Sequence, residues 1–168
     1  RVALKCLQIT INKMKSRTAE WFECKIRYEK TMEDGLPKKV TETYTIDALS
    51  FTEAEQRITE EISAYISGEF EVSDLKKTAY KEIFFSEDDN ADKWYKCKLQ
   101  FITIDEKTDK EKRSNVNYLV NAPTLNQAVK NIDTVMGGTM IDYVIASVTE
   151  STIMDVFEYK SKDTENIA

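Results

Sequence analysis

The chain states one pattern twice. Trp21-Phe22-Glu23-Cys24-Lys25-Ile26 returns as Trp94-Tyr95-Lys96-Cys97-Lys98-Leu99. Tyr44, Ala48, Ala54 and Ile58 return as Tyr118, Ala122, Ala128 and Ile132, and Glu82-Ile83-Phe84 returns as Asp155-Val156-Phe157. The spacing between copies drifts by a single residue along the whole length, which marks a duplicated structural unit. The sequence divides accordingly into an N-terminal extension (1–19), a first repeat (20–85), an acidic connector (86–93), a second repeat (94–159) and a polar tail (160–168). Since the first copy begins near Glu20, Met14 is the expected natural start.

Each copy opens with a strand. Phe22, Cys24, Ile26 and Tyr28 alternate with polar residues, as do Tyr95, Cys97, Leu99 and Phe101. Period-two alternation predicts one face on a core and the other toward a wetter surrounding. Asp34-Gly35 signals a hairpin turn in the first copy, while Asp105 to Lys110 gives a charged loop without glycine in the second. A second strand follows in each.

Helix starts come next. Ser50-Phe51-Thr52-Glu53 and Thr124-Leu125-Asn126-Gln127 both fit a capping box. Helical spacing predicts Phe51, Ala54, Ile58, Ile62 and Tyr65 as the inward face of one helix, and Leu125, Ala128, Ile132 and Val135 as that of the other. Gly68 and Gly137-Gly138 are expected as left-handed terminators. Long third-strand regions, about 70–84 and 140–157, close the copies, with a slip of phase near Ser73 and Ser147 that predicts a bulge or bend. The expected class is α+β: a twice-repeated strand-strand-helix-strand unit, antiparallel sheet with one helix per unit.

Laid out in this way, the chain resembles a family of uncharacterised proteins from Bacteroidota and their mobile elements and phages. The resemblance rests on Trp21 to Lys25, on Asp47 to Glu55, on Phe85-Ser86-Glu87-Asp88-Asp89 and on Asp142 to Val148, and covers roughly 20–159. The family is a domain of unknown function, so it implies an intracellular bacterial or phage setting and supplies no site residue.

Composition narrows the chemistry. There is no histidine, and the net charge is −6, which argues against a general polyanion binder. The three cysteines show no C-x-x-C spacing, so they read as reduced, buried thiols of a cytoplasmic protein, with no disulfide framework and no activating base for catalysis. No catalytic set, cofactor motif or metal site is expected. A Ca²⁺ loop starting at Asp88 would need glycine where Lys93 stands. Gly137-Gly138 follows a helix and lacks the Lys-Ser/Thr of a phosphate loop. No apolar run reaches the ~20 residues of a membrane helix.

One constellation stands out. Alternation places Trp21, Lys25 and Arg27 on one strand face, and Trp94, Lys96 and Lys98 on the equivalent face of the second copy. Rings interleaved with cations suit single-stranded nucleic acid, where bases stack and phosphates meet cations. The plainer reading is that each Trp packs and each cation is solvated. The expected function is a small intracellular non-enzymatic binding or assembly module acting through protein–protein contacts or self-association. The alternative is single-stranded nucleic-acid binding through that Trp and Lys/Arg face.

Overall fold

The computed structural model describes residues 19–159; Met14, the N-terminal extension as far as residue 18 and the tail from 160 lie outside the described residues. The fold is α+β, with the duplication written directly into it. In chain order the elements are β1 (Glu20–Thr31), β2 (Pro37–Ala48), α1 (Phe51–Ser63), β3 (Phe70–Lys77), β4 (Tyr80–Phe84), β5 (Lys93–Ile104), β6 (Glu111–Ala122), α2 (Leu125–Gly137), β7 (Asp142–Glu150) and β8 (Ile153–Phe157). The spacing drift between copies falls in loops: one residue is gained in the hairpin and one is lost between helix and third strand.

The third-strand regions are not single long strands. Each breaks in the middle, and the second half leaves its own copy. One 4-stranded sheet has the order β3-β1-β2-β8, the other β4-β6-β5-β7. Strand β8 therefore completes the first copy's sheet and β4 the second's, each lying parallel to a strand that is otherwise paired antiparallel. The bulges expected from the phase slip are present, at Ser73 between the Lys25 and Ile26 pairings and at Ala146 between the Lys98 and Leu99 pairings. Sequence repeat and compact unit thus differ by one strand. Residues 79–151 form one compact unit and residues 19–78 with 152–159 the other. We call them the contiguous unit and the split unit.

Each unit has its own core. In the split unit Phe22, Cys24, Ile26, Tyr44, Ile46 and Ala48 of the sheet meet Ala54, Ile58 and Ile62 of α1. In the contiguous unit Tyr95, Cys97, Leu99, Tyr118, Val120 and Ala122 meet Ala128, Ile132 and Met136 of α2. Three residues at i, i+4 and i+8 lie on one helix face, and alanine at the first lets the helix start come close to the sheet. Each buried isoleucine contributes about 1.5–3 kcal/mol.

Several expectations are corrected here. Leu125 and Tyr65 are exposed instead of inward, because the buried stripe is only three residues long; Phe51 is partly exposed but sets its ring edge-on against the buried Phe22 at 5.0 Å. Val135 is half-buried, and Met136 takes the core position. None of Gly68, Gly137 and Gly138 is left-handed, Gly35 being the only glycine with positive φ among the described residues. The helices instead end in tightened turns, Ala64 N–H donating to the Glu61 and Ile62 carbonyls and Gly138 N–H to those of Val135 and Met136. In the first capping box Glu53 N–H donates to Ser50 Oγ at 3.1 Å, and the Glu53 carboxylate reaches back one residue beyond the cap, accepting from Leu49 N–H at 3.1 Å. The second is half made: Gln127 N–H donates to Thr124 Oγ1, but the Gln127 amide turns forward to Asn131.

Candidate functional site: exchanged strands and free edges

The two crossings, at 78/79 and 151/152, are held in the same way. The Trp21 carbonyl accepts both the N–H and the hydroxyl of Thr78, at 2.9 and 3.0 Å. The Trp94 carbonyl accepts the N–H and hydroxyl of Ser151, at 2.8 and 2.7 Å. A small hydroxyl residue that can double-bond one carbonyl fixes the place where the chain turns out of its own sheet.

The arriving strands are held at their far ends by a second shared device. Phe157 of β8 stacks on Tyr44 with ring centroids 5.8 Å apart, and Phe84 of β4 stacks on Tyr118 at 5.2 Å. Two residues on, Tyr159 N–H donates to Asp47 Oδ1 at 2.8 Å, and Ser86 N–H donates to Asn121 Oδ1 at 3.3 Å. The acceptor at the end of the receiving strand is in turn held from the helix. Arg57 donates to both the carboxylate and the backbone carbonyl of Asp47, with an ion-pair distance of 2.7 Å and side chains 15% and 4% exposed. In the contiguous unit Asn131 donates to the Asn121 carbonyl at 3.3 Å, and the Asn121 amide donates onward to the carbonyls of Ala91 and Lys93. The acidic connector is thereby tied down at its exit. Of these holding residues, Thr78, Ser151, Arg57, Asn121 and Asn131 were not singled out in the sequence. The signal was there: Asp47 and Arg57 align with Asn121 and Asn131, so an ion pair in one copy becomes an amide pair in the other.

The six residues of the Trp and Lys/Arg face fall as follows. Trp21 and Trp94 are each 5% exposed, and Phe85 meets the Trp94 ring edge-on at 5.4 Å. Base stacking needs a ring face open to solvent, and neither ring offers one. Near the tryptophans the sheet is buried on both sides, since Glu23, Thr45, Asp47, Leu119 and Asn121 are also buried on the face away from the helices. The expectation that this whole face is wet therefore holds only for its distal half. There Lys25 is half-buried with Asp74 opposite it, and exposed Arg27 pairs with Glu71 at 3.4 Å. Lys96 and Lys98 are exposed, with Thr149 and Ser147 opposite them on β7.

Charge separates the two outer strands in the same register. β3 carries Glu71, Asp74, Lys76 and Lys77, with Lys76 reaching Glu23 at 3.4 Å and Lys77 reaching Glu20 at 2.6 Å. β7 has Val144, Ser147, Thr149 and Glu150 at the equivalent positions. Val144 is 39% exposed, and Met140 and Ile141 just before β7 are exposed too.

Among the described residues no group of three or more His, Cys, Asp or Glu side chains gathers in a way that would hold a metal ion, and no helix is long and apolar enough to cross a membrane. Cys24 and Cys97 are free and buried. Burial pushes both thiols up to about 12, far from the range of a nucleophilic cysteine. Tyr28 and Tyr44 both donate to the Glu42 carboxylate, at 2.7 and 2.6 Å. This hydrogen bond raises the Tyr28 phenol to about 12, and burial together with the bond to Glu42 raises Tyr44 as well. The contiguous unit has Phe101, Val116 and Tyr118 in these places.

No curated protein matches this chain. A family model described as "Domain of unknown function (DUF4494)" matches residues 20–159, beginning where β1 begins and ending at Tyr159, whose N–H secures the last exchanged strand. The chain belongs to that family.

Proposed function

We propose that this protein is a small non-enzymatic binding module that acts through protein–protein contact, taking an extended partner segment along the outer edge of β7. The contrast between two equivalent edges carries the reading. A free edge presents unpaired N–H and C=O groups, and proteins guard such edges with charge. β3 is guarded by four charged residues. On β7 three of those positions hold valine, serine and threonine, and apolar side chains stand exposed beside the backbone. Strand addition uses that combination: backbone bonds give affinity and alternate side chains give selectivity.

Cys24 and Cys97 are buried, and burial pushes their thiols far above the range of a nucleophile, which supports a reading without thiol catalysis. Free cysteines fit a reducing cytoplasm, and the family resemblance fits a bacterial or phage setting. Buried tryptophans weigh against nucleic acid as the partner.

The test is site-specific photo-crosslinking in cells of the natural host, with the crosslinker at position 144 or at the equivalent position 71. The expected result is a discrete adduct from 144, absent from 71 and lost when charge is restored nearby by Ser147→Asp and Thr149→Lys. Equal labelling at both positions would overturn the reading.

A further inference from the structure

Among the described residues, only one of the two units is assembled from separate pieces of chain. The contiguous unit contains all four strands of its sheet and its helix within 79–151. The split unit takes β8 from beyond the entire contiguous unit. Strand β8 is no marginal addition: Ile153 and Val156 are 4% and 6% exposed, Phe157 stacks on Tyr44, and Asp47 accepts the Tyr159 N–H. Its parallel pairing runs from Thr43↔Ile153 to Ile46↔Phe157.

We infer that a second copy of this chain is a partner for the split unit, docking its own β8 on β2 in place of the resident strand. The geometry of the crossing favours this. Only Ser151 and Thr152 separate β7 from β8, and Ser151 is fixed to Trp94 inside the contiguous unit, so β8 begins directly after the chain's last anchor in the unit that carries it. Whether it reaches β2 of its own chain or of a neighbour, β8 can make the same pairing, the same Phe157–Tyr44 stack and the same Tyr159–Asp47 bond, because the receiving surface is identical. The choice is then one of concentration. The tether gives the home strand an effective concentration of order millimolar, and a neighbour competes when the chain folds near that concentration. Exchange of one element between identical chains is a low-cost route to a closed dimer. This inference does not depend on the β7 edge, which stays free in the exchanged dimer.

The experiment refolds the full chain from urea at ~10 µM and at ~1 mM, spanning that effective concentration, and separates the products by size with light scattering. A synthetic peptide of residues 152–159 is added in excess to a parallel sample, and Val144→Lys is run beside the unaltered chain. The expected result is a dimer-to-monomer ratio that rises in proportion to concentration. The dimer persists on dilution, falls when the peptide occupies β2, and is unaffected by Val144→Lys. Monomer at both concentrations overturns the inference. So does a dimer that ignores the peptide and disappears with Val144→Lys, which would place association at the β7 edge instead.

Discussion

The two units use the same devices to hold an exchanged strand, yet they differ in the chemistry of several polar positions around it. In the split unit an ion pair, Arg57 with Asp47, stands behind the last hydrogen bond of β8; in the contiguous unit two asparagines do the same work for β4. The distal sheet of the split unit is a ladder of opposite charges, and the contiguous unit replaces its acids with Lys96, Val144 and Ser147. One hydroxyl-to-carbonyl clamp and one aromatic stack appear in both. Backbone-directed contacts are thus what the strand exchange requires. The side-chain chemistry around them is free to drift, toward charge in one copy and toward an unguarded edge in the other.

The largest expected effect lies at the charged fastening. Arg57→Ala leaves Asp47 buried without its cation, which costs about 3–5 kcal/mol. Asn131→Ala removes two neutral hydrogen bonds, the one donated to the Asn121 carbonyl and the one accepted from Gln127, about 2 kcal/mol together. Urea unfolding of the two variants checks the contrast, and equal losses would show that the ion pair is not what holds β8. A smaller effect of opposite sign is expected at Thr45, whose buried hydroxyl lacks a hydrogen-bond partner where the other copy has Leu119, fully buried and apolar. Thr45→Val should stabilise by about 1 kcal/mol.

Alkaline pH sharpens the comparison at the sheet's distal end. The Tyr28 phenol, raised from 10.0 to about 12 by its bond to Glu42, is held in its neutral form by folding. Its contribution is therefore complete below pH 10 and is lost as pH climbs toward 12. Tyr28→Phe, which installs the residue of the other copy, should make the urea midpoint fall less steeply across that window. The smallest effect is expected in the hairpins. Asp109 at φ 59 stands in for Gly35 at φ 79, so Asp109→Gly should change stability by less than about 1 kcal/mol while Gly35→Ala destabilises by about 1 kcal/mol.

Much of this fold was legible because local rules decided it. Alternation around Cys24 and Cys97 placed the first strands, and Ser50 and Thr124 placed the helix starts. The phase slips at Ser73 and Ser147 placed the bulges. What escaped was partner choice. The pattern of Ile83 and Phe84, or of Val156 and Phe157, says "strand" without saying whose sheet, since a parallel neighbour from either copy satisfies the same alternation. The tryptophans stayed open for a related reason: strand geometry put them beside Lys25 and Lys96, and burial on both sides of the sheet near the crossings, which bears out the plainer packed reading, is a tertiary property that no local period encodes. Thr78 and Ser151, matching hydroxyls at equivalent positions midway along the third-strand regions, were the available hint that the chain turns there.

The claim on which the rest depends is that β8 completes one unit while the other is self-contained. The buried thiols report on each separately, Cys24 from the split unit and Cys97 from the contiguous unit. The direct measurement is the rate of thiol modification near pH 8 in a chain carrying Cys6→Ser and ending at Ser151, compared with the same chain at full length. Loss of β8 should expose Cys24 to rapid modification and leave Cys97 protected. Protection of both thiols, or exposure of both together, would contradict it.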